Sequence, residues 1–143
     1  MRIPSKGRYA VAALIDMAMN QAKGPLTIAE LAERQGISLS YLEQLFAELR
    51  SHQLIKGLRG PGGGYVLARD PERISVAQVI EAVEQRAVYR RPEHEQYHPF
   101  QVWEGLSERL YKYLDGITIA DCVANRWPTE EADMLAVSNE VIP

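Results

Sequence analysis

Cysteine is nearly absent from this chain of 143 residues, where Cys122 stands alone. One thiol excludes an intramolecular disulfide framework and every CxxC metal or redox motif, and it favours a reducing compartment. Long apolar runs are missing too, because charge interrupts each stretch well short of the roughly 18 to 20 residues that a membrane helix needs. The opening Met1-Arg2-Ile3-Pro4-Ser5-Lys6 has no apolar h-region, so no signal peptide and no membrane partner are expected, and the protein is read as cytoplasmic. Positive charge is in deficit overall, with 16 Lys and Arg against 19 Asp and Glu. The deficit is uneven. Residues 1–73 hold ten Lys or Arg against seven Asp or Glu, whereas residues 74–143 hold six against twelve. A basic front and an acidic rear suit a module that meets phosphate with one end only. No nucleophile–base pair, metal tripod or cofactor fingerprint appears, so an enzyme is not expected.

What is present is periodicity. The 46% apolar content can bury one core and a small appendage, but not two independent domains. Val11, Leu14, Ile15 and Ala18 recur at helical spacing between Ser5, a candidate cap, and the stop at Gly24-Pro25. Thr27-Ile28-Ala29-Glu30 has the form of a capping box, opening a short helix that ends near Gly36. Ser38 and Ser40 then compete to cap a second helix with the stripe Leu42, Leu45, Phe46 and Leu49. Two helices joined by so short a turn read as helix-turn-helix. Leu54-Ile55-Lys56-Gly57-Leu58 and Tyr65-Val66-Leu67 flank a glycine tract and predict a hairpin. Ser75 with Gln78 caps a helix carrying Val76, Val79, Ile80 and Val83. Residues 86–101 lose all periodicity, and a long helix resumes at about Val102. Its stripe of Trp103, Leu106, Leu110 and Leu114 is the expected dimer interface. Thr118 caps a last short helix predicted to end near Trp127-Pro128.

The second helix of the pair turns Ser40, Glu43, Gln44, Ala47 and Ser51 away from its apolar stripe. Gln can pair bidentately with adenine, Glu can accept from the cytosine amino group, and Ser serves base edges or phosphate. An ordinary solvated face would look similar, and the hairpin shifts the balance. Its tract Arg59-Gly60-Pro61-Gly62-Gly63-Gly64 packs poorly but allows close backbone approach, and an arginine held there can enter a minor groove. A phosphate-binding P-loop is excluded, because that motif runs Lys-Ser or Lys-Thr into a helix, whereas these glycines run into a strand.

The stretches Ser5-Lys6-Gly7-Arg8-Tyr9-Ala10, Gly36-Ile37-Ser38-Leu39-Ser40-Tyr41-Leu42-Glu43-Gln44-Leu45-Phe46 and Arg59-Gly60-Pro61-Gly62-Gly63-Gly64-Tyr65 resemble the iron-sulfur cluster regulator family, IscR-like winged-helix transcription factors. The likeness is dense over about residues 1–85 and returns at Leu106-Ser107-Glu108-Arg109-Leu110 and Ile117-Thr118-Ile119. It implies a homodimer joined by the long C-terminal helix, a palindromic operator on double-stranded DNA, and repression or activation of nearby promoters. Position by position, it places Ser40, Glu43 and Gln44 at bases, Tyr41 and Lys6 near the backbone, and Arg59 in the minor groove. Ser38, Gly60 and Gly62 complete the expected DNA-binding set.

Typical cluster-binding members hold a [2Fe-2S] cluster with three cysteines and a histidine from the loop before the dimer helix. The matching loop here has no cysteine, so the usual ligands are missing and no cofactor is expected. Glu93, His94 and His98, with Cys122 beyond the long helix, are the only candidates for another metal, and no complete ligand set is visible. The expectation is a mainly α fold: a winged helix-turn-helix over 1–85 with a β-hairpin wing, an effector or linker loop over 86–101, a dimerisation helix and short final helix over 102–128, and a tail over 129–143. Two alternatives stand beside it. One is a regulator that senses a metal or small-molecule effector through the 86–101 loop, and the other is a winged helix used for protein association.

Overall fold

The computed structural model describes residues 5–84 and 98–126. Four of its helices begin where a nearby side chain satisfies an amide that a helix start leaves without a partner. Helix α1 spans Ser5–Met19, and a 3-10 turn over Gln21–Lys23 follows it. Helix α2, Ile28–Gln35, opens on the expected capping box: Thr27 Oγ1 accepts from the Glu30 amide at 3.1 Å, and Glu30 Oε2 accepts from the Thr27 amide at 2.9 Å. Helix α3 spans Leu39–Ser51. Of its two competing caps Ser38 is the one used, its hydroxyl oxygen accepting from the Tyr41 amide at 3.2 Å, which leaves Ser40 as the second residue of the helix and exposed.

Strands β1, Ile55–Leu58, and β2, Gly64–Leu67, pair antiparallel with Ile55 opposite Leu67 and Leu58 opposite Gly64. The hairpin does not stand alone. Leu26 bridges to Tyr65 through two backbone hydrogen bonds of 3.1 and 2.7 Å, which fasten β2 to the connection between α1 and α2. After a 3-10 turn at Pro71–Arg73, helix α4 spans Val76–Glu84, capped by Ser75 and Gln78 as the sequence predicts. Helix α5 spans His98–Asp115 and α6 spans Ile119–Val123.

The start of α4 and the end of α5 are clasped by backbone. The Val76 amide donates to the Ile117 carbonyl and the Ile119 amide donates to the Ile74 carbonyl, each at 2.8 Å. Ser75 Oγ adds a bond of 2.9 Å to Asp115 Oδ1, and the Tyr111 hydroxyl donates to Glu81 Oε2 at 3.2 Å. Burial, followed by the charges of Glu81 and Asp115, pushes the Tyr111 hydroxyl above its ordinary pKa.

The core gathers Leu14 of α1, Leu31 of α2, Phe46 of α3, Leu54 before β1, Val79 of α4 and Ile119 of α6. Each such side chain contributes about 1.5 to 3 kcal/mol by leaving water. Three expectations shift. The most buried face of α1 is Ala10, Ala13, Leu14 and Met17, with Val11, Ile15 and Ala18 at its margin. This helix is apolar around most of its circumference, so spacing alone does not set its phase. Helix α5 begins at His98 rather than near Val102, since Pro99 in a first turn lacks only an amide that had no helical partner. Helix α6 ends at Val123, well before Trp127-Pro128, and Asn125 takes a positive φ of 59° just beyond.

Candidate nucleic-acid interface

Helix α3 is split cleanly along its length. Leu42, Leu45, Phe46 and Leu49 are buried, while Ser40, Glu43, Gln44, Ala47 and Ser51 are exposed. The burial of one face fixes which side chains point outward, so the polar set is held in rotational register by the core behind it. Ser38 lies exposed at the start of this face. Its oxygen is used as the cap, which leaves its O–H free to donate to a phosphate.

The N-terminal turn of α1 lies beside α3. Lys6 Nζ is 4.0 Å from Glu48 Oε1 of α3 and remains largely exposed. The ring of Tyr9 meets that of Tyr41 edge to face, with centroids 5.9 Å apart. Tyr9 and Glu48 were not singled out by the sequence pattern. Tyr9 follows Lys6 by three residues and so shares its face of α1, which is the signal that could have found it. Glu48 is half-buried, and its Oε2 has no hydrogen-bond partner among the described residues.

The wing extends from the other end of α3. Arg59 is exposed at the close of β1, with Gly60 and Gly62 beside it. Their φ values of 97° and 75° lie in the left-handed region that a side chain disfavours, and a 2.9 Å bond from the Gly63 amide to the Gly60 carbonyl closes the turn. The wing and α3 are joined through Phe46 and Tyr65. His52, exposed at the end of α3, has Nδ1 2.9 Å from the Glu48 carbonyl oxygen, so it closes the helix.

The expected interface residues of α5 divide. Trp103 is 50% and Leu106 40% exposed, while Leu110 and Leu114 are half-buried on the side of α5 nearer the clasp. Val102, at 67%, and Tyr113 add exposed apolar surface that the predicted stripe omitted.

Of the metal candidates, only Cys122 has a described side chain. Glu93 and His94 lie outside the described residues, and of His98 only the backbone, as the first residue of α5, is described. Cys122 is half-buried on α6, where burial and the neighbouring Asp121 charge raise its thiol above the ordinary range. A [2Fe-2S] cluster takes four ligands, normally thiolates with at most two histidines on one iron. A chain with one cysteine, disfavoured as a thiolate, does not fit that set. Among the described residues no three His, Cys, Asp or Glu side chains are placed to hold a metal ion.

A helix-turn-helix followed directly by a two-stranded, glycine-tipped wing defines a winged helix-turn-helix protein of the DNA-binding class. The Rrf2 family, described as an iron-dependent transcriptional regulator, matches residues 3–125, and the chain belongs to that family. It is similar to the HTH-type transcriptional regulator IscR of Sodalis glossinidius (strain morsitans), with 47% identity over 132 residues covering 87% of this chain and 80% of the relative. Its likeness to IscR of Klebsiella pneumoniae (strain 342) is 45% over 133 residues, covering 88% and 82%. Among solved structures, IscR of T. potens superposes with a TM-score of 0.76 at 37% identity, covering 87% of this chain and 88% of the other. CymR (YrzC), the global cysteine regulator of B. subtilis, superposes with a TM-score of 0.75 at 30% identity, covering 87% and 98%. The chain is a DNA-binding transcription regulator of the IscR and Rrf2 type, and its relatives are regulators rather than enzymes. Among the described residues no helix is long and apolar enough to cross a membrane.

Proposed function

We propose that the protein acts as a cytoplasmic homodimer that reads a palindromic operator without a [2Fe-2S] cluster. The observation that carries the dimer is the exposed apolar face of α5, with Val102, Trp103, Leu106 and Tyr113 open to solvent. A contiguous patch of this kind marks an interface. Two-fold pairing of α5 presents two copies of α3, and two-fold symmetry in the protein calls for inverted half-sites in the DNA. In each half-site Ser40, Glu43 and Gln44 address base edges, Ser38, Tyr41 and Lys6 the backbone, and Arg59 with Gly60 and Gly62 the minor groove. The single cysteine supports operator binding that is independent of a cluster.

Selection of bound duplexes from a random pool tests the DNA reading. The expected product is a pair of inverted half-sites about 10 bp, or a multiple of that, apart. Light scattering on the same protein should give the mass of a dimer. A monomer that keeps full affinity for the selected duplex would overturn the symmetric reading. Anaerobic purification with iron and sulfide analysis should give a colourless, cluster-free protein. Near-stoichiometric iron and sulfide, with absorbance lost in Cys122→Ala, would overturn that part alone.

A further inference from the structure

The first amides of a helix need partners from outside it. In α1 the Gly7 amide finds one across the fold, donating to Glu84 Oε1 of α4 at 3.0 Å, 77 residues along the chain. Only glycine permits so close a seat without adjustment: a Cβ at position 7 would stand 3.2 Å from Ile80 Cγ1 and 3.6 Å from Glu84 Oε1. The Glu84 carboxylate therefore sits at the positive end of the α1 dipole, where a negative charge is stabilising. The neighbouring Lys6 reaches the other way, to Glu48 Oε1 of α3 at 4.0 Å. Two adjacent residues are thus tied to two different helices, Gly7 through its backbone and Lys6 through its side chain.

We infer that Glu84 is a positioning residue for DNA binding: by capping Gly7 from α4 it fixes the first turn of α1 and so places the Lys6 ammonium beside α3. The inference rests on the proposed contact of Lys6 with a phosphate. Glu84 itself touches no DNA in this scheme. Without its carboxylate the Gly7 amide loses its partner, the turn loosens, and Lys6 has to be ordered again for every binding event.

The test uses the full chain and a duplex it selects from a random pool, with affinity measured across a range of salt concentrations. Each lost phosphate contact lowers the slope of log K against log salt by about 0.9. Glu84→Ala should lower the slope as Lys6→Ala does, and the double variant should lose no more than either alone. Glu84→Gln retains an oxygen acceptor and should restore the parental slope. Thermal unfolding checks that each variant is folded at the assay temperature. Glu84→Asp, one methylene shorter, carries the same expectation as Glu84→Ala if that variant fails to fold. A parental slope in Glu84→Ala beside a reduced one in Lys6→Ala overturns the positioning role alone, as do additive losses in the double variant. A parental slope in Lys6→Ala overturns the phosphate contact and the positioning role together.

Discussion

Phe46 of α3 and Tyr65 of β2 meet edge to face, with ring centroids 5.0 Å apart and planes at 79°. Phe46 is fully buried and Tyr65 half-buried, and Tyr65 also carries the backbone bridge to Leu26. One aromatic contact therefore joins α3, the helix proposed to read bases, to the wing that carries Arg59. A double-mutant cycle of Phe46→Leu and Tyr65→Leu, followed by denaturant unfolding, should give a coupling of about 0.5 to 1.5 kcal/mol. Additive losses would mean that the two elements are held independently.

Arg59 and Gln44 should fail in different ways. Arg59→Ala should weaken binding to the selected duplex by about 1 to 3 kcal/mol with little change in unfolding, because the side chain is exposed and packs against nothing in the core. Gln44→Ala should relax base preference at one position of each half-site. Titrations with selected and scrambled duplexes separate the two effects. If both variants bind both duplexes as the parent does, the assignment of α3 and the wing is wrong.

A charge on the exposed face of α5 should separate protomers without unfolding them. Trp103→Glu and Leu106→Glu replace half-exposed apolar side chains, so each monomer keeps its core while the interface loses its centre. Sedimentation should show a monomer, and affinity for the two-site duplex should fall toward that for a single half-site. A variant that remains dimeric would place the interface elsewhere.

Gln53 holds a positive φ of 61° immediately after α3, where its amide donates to the Arg50 carbonyl at 3.0 Å and the Leu54 amide donates to the Leu49 carbonyl at 3.0 Å. This left-handed exit is a position that glycine takes without steric cost. Gln53→Gly should raise stability by about 0.5 to 1 kcal/mol, read as a higher denaturant midpoint with unchanged slope. A drop in the midpoint would show that the extra freedom of the unfolded glycine outweighs the relief.

Local features were legible in the sequence, and contacts across the chain were not. Thr27 with Glu30, Ser75 with Gln78 and Thr118 with Asp121 act within four residues, so the caps can be read directly. The stripe on α3 alternates sharply with polar residues, and its exposed face follows. Helix α1 offered no such contrast, and its buried face was displaced by about one residue as a result. The start of α5 was hidden by Pro99, a residue that breaks a helix interior but suits its first turn. Lys6 with Glu48, Gly7 with Glu84 and Leu26 with Tyr65 join residues far apart in the chain, and no spacing rule brings them together.

The clasp between Ile74–Val76 and Ile117–Ile119 uses main-chain donors and acceptors, which every residue except proline possesses. In a dimer built on α5 it is the hinge pin that sets the reach from one reading head to the other. Side-chain substitutions on the exposed face of α5, at Val102, Trp103 or Leu106, would then alter how tightly two protomers hold each other while leaving that reach unchanged. Relatives could diverge on that exposed face and still straddle the same number of base pairs, whereas proline at 76 or 119 would change the calibre of the whole instrument.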